Sequence, residues 1–208
     1  MLVRLNLPDV LPPAPPEVAS FILDAQSRID AFIETHLTEP IHAFVPSDFP
    51  LIYGALRHVV NEHLAPGPLF CEWGSGAGVV ACLAAMVGLD ACGIEFEADL
   101  VELSTQLARN YHVDVSFYHG NLVPHGGQRI ADEVEEFEWL AAGGPDPYEK
   151  MGLEVDDFDM VFAYPWPGEE HVIERLFDRF ASDGALLLTY NGGEGARLFR
   201  KRSSRPMA

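Results

Sequence analysis

Leu69-Phe70-Cys71-Glu72-Trp73-Gly74-Ser75-Gly76-Ala77-Gly78 reads as a short buried strand that runs into a glycine turn. Val79 to Val87 continues it as a helix of small residues, broken at Gly88. Glycines at such a junction let the backbone approach a ligand and take conformations that a side chain forbids. The helix behind the turn offers free N–H groups to an anionic part of that ligand. The spacing here is G-x-G-x-G, and Val79 stands where the dinucleotide fingerprint G-x-G-x-x-G would place its third glycine. The next strand, Ala91 to Glu95, ends in an acid 17 residues after Gly78. A carboxylate at that point can accept hydrogen bonds from both hydroxyls of a ribose. The turn, its leading acid Glu72 and the second acid Glu95 together point to a nucleoside-bearing cofactor.

Strands and helices alternate beyond this unit. Asp99 to Tyr111 reads as a helix, Val113 to Tyr118 and Phe158 to Ala163 as strands, Glu169 to Phe180 as a helix, and Ala185 to Tyr190 as a fifth strand. This order implies an α/β fold, a mostly parallel Rossmann-like sheet with helices on both faces. Ahead of it, residues 1–16 carry five prolines and read as an extended arm outside the core. Residues 17–66 read as a helical N-terminal cap. Val18, Phe21, Ile22, Ala25, Ile29, Phe32, Ile33 and Leu37 repeat at three- and four-residue steps. A second helix starts after Ser47 or Asp48, either of which can cap it, with Pro50 in a tolerated first-turn position. Residues 67–208 then form the cofactor-binding domain. Its stretch 126–157 is too long for an ordinary connection. Ile130, Val134, Phe137 and Leu140 are spaced for a helix there, and Gly143-Gly144-Pro145-Asp146-Pro147 reads as a loop.

The 208 residues suit one domain, and 48% hydrophobic content can build a full core. Thirteen Lys and Arg against 32 Asp and Glu give a formal net charge of −19. That field repels a phosphate backbone, so nucleic acid is not an expected partner, and it attracts a cationic cofactor or a basic substrate. The simpler reading of the charge is solubility. Eleven of the acids lie between Asp132 and Asp159, opposed only by Lys150. Arg197, Arg200, Lys201, Arg202 and Arg205 form a basic tail that either folds back onto this segment or stays a solvated end. No apolar run reaches the roughly 18 residues of a membrane span. Three cysteines without short spacing exclude a disulfide scaffold and suit a reducing, cytoplasmic setting. The eight histidines form no H-E-x-x-H, so a metal centre is not expected.

Glu72-x-Gly74-x-Gly76-x-Gly78 with Glu95 closing the next strand resembles the first two motifs of class I S-adenosylmethionine-dependent methyltransferases. The resemblance covers roughly residues 44–190. It implies S-adenosylmethionine as cofactor, with its methionine part over Glu72, Gly74, Ser75, Gly76 and Gly78 and its ribose on Glu95. It further implies Phe96 beside the adenine and Asn121 near the adenine amino group. Phe44-Val45-Pro46-Ser47-Asp48 and Phe70-Cys71-Glu72-Trp73 are similar to the non-SET lysine methyltransferase branch, which implies that Ser47 touches the cofactor unless it serves as the helix cap. The family adds two strands after the fifth. Only one fits after Tyr190, over Ala196 to Lys201, so shortened C-terminal strands are expected, with acceptor wall supplied by 126–157 or by another subunit.

Ala163-Tyr164-Pro165-Trp166-Pro167 ends the fourth strand. Amino-methylating branches of the family carry Asn or Asp, Pro-Pro and an aromatic here. Ala163 has no side-chain acceptor, which speaks against DNA-adenine or glutamine-amide substrates. Tyr164 and Trp166 can wall an acceptor site and contact a sulfonium or an ammonium; alternatively Trp166 packs under the next helix. Glu169 and Glu170 read first as charge at a helix N-terminus, second as acceptor contacts. The expected activity is methyl transfer to an amine, a protein lysine or a small basic molecule, by direct displacement. A cofactor-binding interaction module without catalysis and a nicotinamide-dependent oxidoreductase are the alternatives.

Overall fold

The computed structural model describes residues 1–36, 44–131 and 144–203. In chain order its elements are β1 (Leu2–Leu5), α1 (Pro16–Thr35), α2 (Phe49–Asn61), β2 (Leu69–Trp73), α3 (Val79–Met86), β3 (Asp90–Glu95), α4 (Ala98–Asn110), β4 (Ser116–His119), α5 (Gln128–Ala131), α6 (Pro147–Met151), β5 (Met160–Ala163), α7 (Glu170–Phe180), β6 (Leu186–Tyr190) and β7 (Ala196–Lys201). Seven strands form one sheet in the order β1-β7-β6-β5-β2-β3-β4. The pairs from β6 through β5, β2 and β3 to β4 are all parallel. β7 runs antiparallel to β6. Central parallel strands are covered on both faces and need continuous apolar residues, which is why β5 is buried at every position.

Two apolar cores flank the sheet. One joins α1, α2, α3 and α4 to Phe70, Phe162, Leu186 and Leu188. The other joins α6 and α7 to Cys71, Ile94, Val161 and Leu187. Among the described residues of 17–66, α1 and α2 contribute to the first of these cores. In α1 the three- and four-residue spacing buries Val18, Phe21, Ile22, Ala25 and Ile29. Asp48, not Ser47, caps α2: its side chain accepts from the Leu51 N–H at 3.0 Å. Among the described residues no helix is long and apolar enough to cross a membrane.

The N-terminal arm departs from expectation. Leu2–Leu5 is a strand, with Leu2 opposite Lys201 and Leu5 opposite Leu198. It is antiparallel to β7 and therefore runs in the same sense as β6. The sheet reaches seven strands because its last edge comes from the start of the chain rather than from its end. An apolar-x-x-apolar strand of four residues beside a proline-rich stretch carries no period-2 signal, so pattern alone cannot reveal it.

Arg197, Arg200 and Lys201 lie in β7. Arg197 pairs with Glu194, Arg200 donates to the Leu64 carbonyl at 2.9 Å, and Lys201 donates to the Asp178 carbonyl. Arg205 and the acids from Asp132 to Glu138, with the expected helix through Leu140, lie outside the described residues, as does Leu37. The described acids hold turns. Asp146 caps α6 by accepting from Tyr148 N at 2.9 Å, so helix rather than loop begins at Pro147. Glu154 and Asp157 form a reciprocal capping box, and Asp159 accepts from Leu69 N at 3.0 Å.

Candidate functional site

Strand order reverses at β2, which has β3 on one side and β5 on the other. Crevices at such a point, outside the C-terminal ends of parallel strands, receive ligands. A cavity lies there. Gly74 to Ala77 follow β2, Glu95 to Glu97 close β3, Gly120 to Leu122 follow β4, and Ala163 to Trp166 end β5; all line it. Phe44 to Ser47 complete the lining ahead of α2.

The glycine turn is built from backbone. Gly74, Gly76 and Gly78 have φ of +69°, +52° and +72°, the left-handed region. Ser75 N donates to Ile94 O at 2.9 Å and Gly78 N to Ser75 O at 2.7 Å. A Cβ on Gly76 would stand 2.8 Å from the Phe44 ring, so the covering aromatic seats directly on this glycine. Gly78 has another duty. It is outside the cavity lining, and a Cβ there would meet Phe117 at 2.4 Å and Ser104 at 2.6 Å. Its bare Cα lets the start of α3 press against α4 and β4. Ser75 is buried, and its Oγ has no hydrogen-bond partner among the described residues. A buried hydroxyl left in that state at a cavity wall fits a polar ligand.

Both acids are buried and both are tied to backbone. Glu72 accepts from Ala81 N at 2.8 Å. Gly78 caps α3 without a side chain, so this carboxylate satisfies one of the helix's free N–H groups from the preceding strand. Burial holds the Glu72 carboxyl well above the ordinary carboxylate range; the Ala81 N–H opposes this and the Glu95 charge adds to it. Glu95, 8% exposed, accepts from Gly76 N at 2.7 Å through Oε2 and from Glu97 N at 2.9 Å through Oε1. Burial raises its pKa as well, against these N–H groups. A carboxylate has about four lone-pair sites. Both oxygens therefore keep capacity for a second donor, which is what two vicinal hydroxyls require.

Phe96 is 41% exposed at the rim. Asn121 Oδ1 accepts from Val123 N at 2.8 Å, leaving its NH2 as the uncommitted group. Ser47, relieved of capping by Asp48, lines the cavity. At the β5 end the Tyr164 ring meets Tyr190 edge-on at 4.8 Å. Trp166 N donates to the buried Glu169 at 3.2 Å and Glu170 accepts from Gly168 N at 2.8 Å, so both acids hold the turn into α7. The cavity thus brings together Ser47, Glu72, Gly74, Ser75, Gly76, Glu95, Phe96, Asn121, Tyr164 and Trp166. Phe44 escaped the sequence-based site, because its seat on Gly76 is a non-local contact.

No family model and no curated protein matches the chain. Solved structures do. An RNA methyltransferase from Salinibacter ruber in complex with S-adenosyl-L-homocysteine is 18% identical, with 79% of this chain and 98% of that one covered at a TM-score of 0.52. A methyltransferase from Geobacter sulfurreducens is 18% identical over 92% of this chain and 93% of that one, TM-score 0.50. An O-methyltransferase from Bacillus cereus in complex with S-adenosyl-homocysteine is 14% identical over 87% and 68%, TM-score 0.50. The chain shares the Rossmann-like α/β fold of these methyltransferases.

Proposed function

We propose that the chain is an S-adenosylmethionine-dependent methyltransferase that acts on an amine, a protein lysine or a small basic molecule. The observation that carries this reading is the meeting of Gly76, Glu95, Asn121 and Tyr164 in one cavity at the strand-order reversal. When bound, S-adenosylmethionine supplies a methyl group on a sulfonium. Glu95 accepts from the ribose hydroxyls while it holds Gly76. Ser75 and Glu72 face the methionine part. Phe96 would flank the adenine, and the Asn121 NH2 would donate to N1 beside the adenine amino group, an acceptor that carries a hydrogen in a 6-oxo base. Ser47 and Phe44 cover the site and exclude water. Tyr164 and Trp166 would wall the acceptor and orient its lone pair toward the methyl group, which is most of what a displacement needs.

The formal charge of −19 supports a cationic acceptor over a nucleic acid. A hydroxyl acceptor is the second reading. Ala163 supplies no side-chain acceptor for N–H groups, and an O-methyltransferase shares the fold. Calorimetric titration with S-adenosylmethionine and S-adenosyl-homocysteine tests the cofactor. Saturable one-site binding that is lost in Glu95→Ala supports it, and no binding by folded protein removes it. Methyl transfer to amine-bearing against hydroxyl-bearing acceptor pools then separates the two acceptor readings.

A further inference from the structure

The long stretch between β4 and β5 returns to the sheet at residues 144–148, on the Phe96 side of the cavity rather than the Tyr164 side. Three contacts fasten it there. A Cβ on Gly120 would lie 2.4 Å from the Pro145 carbonyl oxygen and 2.8 Å from Pro147 Cδ. Asn121 N donates to that same carbonyl at 3.3 Å. The buried Tyr148 hydroxyl donates to Leu122 O at 2.6 Å. Gly120, Asn121 and Leu122 are the cavity residues that follow β4, so the returning limb is bolted to the back of the wall they form. Gly144 completes the arrangement: a Cβ there would stand 3.1 Å from the Phe96 ring.

Gly120 is not among the residues with positive φ. An ordinary residue could adopt its backbone conformation. Glycine is required only because the Pro145 peptide lies against its Cα. The close approach is therefore a property of the docking, not of the turn.

We propose that residues 144–148 are a clamp that shapes the nucleobase end of the cofactor site, and that Gly120 and Tyr148 are its positioning residues. This rests on the cofactor reading above. Residues 144–148, on this view, set selectivity for the base. Asn121 can hold its NH2 toward a base only while its own N–H is fixed to Pro145 and its Oδ1 to Val123. Phe96 can flank the base only while Gly144 limits its swing.

The test compares binding of S-adenosyl-homocysteine and of S-inosyl-homocysteine, in which a 6-oxo group replaces the adenine amino group, to the full chain and to two variants. Wild type is expected to prefer the adenine form. Gly120→Ala, which forces the limb away, is expected to weaken S-adenosyl-homocysteine binding about tenfold, the scale of one lost buried hydrogen bond, and to shrink the preference between the two bases. Tyr148→Phe keeps the ring and removes the bond to Leu122; a smaller loss in the same direction is expected. Wild-type affinity and base preference in both folded variants would overturn the clamp and leave the cofactor reading standing, as would a lowered Tm with unchanged preference. Failure of wild type to bind either compound would remove the cofactor reading and the clamp with it.

Discussion

Glu95 Oε2 accepts the Gly76 N–H at 2.7 Å, so the acid that ends β3 and the glycine turn that follows β2 form one hydrogen-bonded unit. Residues 19 apart in sequence are thereby fixed to each other before any ligand arrives. Glu95→Ala removes both the ribose acceptor and the brace on the turn. It is expected to weaken binding of S-adenosyl-homocysteine by about 1–3 kcal/mol, the range for hydrogen bonds to a charged group, and to lower Tm. Titration calorimetry and thermal unfolding read the two effects. Unchanged affinity in a folded variant takes Glu95 out of the site.

The buried acids set a pH dependence. Burial raises the folded-state pKa of Glu72 above its unfolded value, near about 4.3. A proton is then held longer in the folded state, so the stability linked to this group is full below the unfolded pKa and is lost as pH rises through the folded one. Glu95 shifts in the same direction. Glu72→Gln keeps an acceptor for Ala81 N and has no charge to bury. The variant is expected to lose less stability than wild type between pH 5 and pH 8, read from urea midpoints across that interval. Parallel curves would show that Glu72 is not the group responsible.

Gly78→Ala separates packing from ligand contact. The position has φ of +72° and a Cβ would press on Phe117 and Ser104. Left-handed backbone costs about 1–2 kcal/mol and overpacking about 1–3 kcal/mol. Stability is expected to fall by that order, with any loss of cofactor affinity following from the shifted turn. An Ala variant with native Tm would mean that α3 and α4 yield more easily than their contact implies.

Tyr164→Ala is expected to leave cofactor affinity within experimental error and to reduce turnover about tenfold or more, a change of about 1.4 kcal/mol in the barrier. Turnover at the wild-type rate would move the acceptor wall elsewhere.

Removal of residues 1–6 tests the edge strand. Leu5 packs beside the core and pairs with Leu198. Losing β1 is expected to cost roughly 2–4 kcal/mol, from two half-buried leucines and the uncovered edge of β7, while cofactor binding persists. A fully neutral truncation would return residues 1–16 to the status of an arm.

The central strands were legible because a buried parallel strand needs a run of apolar residues, as Leu69-Phe70-Cys71 and Met160-Val161-Phe162 supply. The turn was legible because positive φ selects glycine. What escaped was long-range. Nothing local marks Leu2–Leu5 as the partner of β7. Ser47 and Asp48 are equivalent caps on paper, and only the bond to Leu51 N distinguishes them. Gly78 belongs to the same motif as Gly76, yet one faces Phe117 and the other the cavity, a distinction that depends on where α4 and β4 lie. Nothing local to Gly120 marks its close approach to Pro145, which lies 25 residues on and is set by the docking of the limb.

The pairing of the first strand with the last also has a kinetic consequence. β2, β3, β4 and β5, which carry the cavity, come from neighbouring stretches of chain and can assemble as soon as β5 has been synthesised. β1 emerges before any of them and has no partner until β7 follows, so its strand contacts have the highest sequence separation among the described residues. Non-local pairings of that kind form late, because chain closure must precede the contacts that reward it. β1 should therefore be among the last elements to gain hydrogen-exchange protection during refolding. The ligand-binding half should reach its native pattern while that edge is still open.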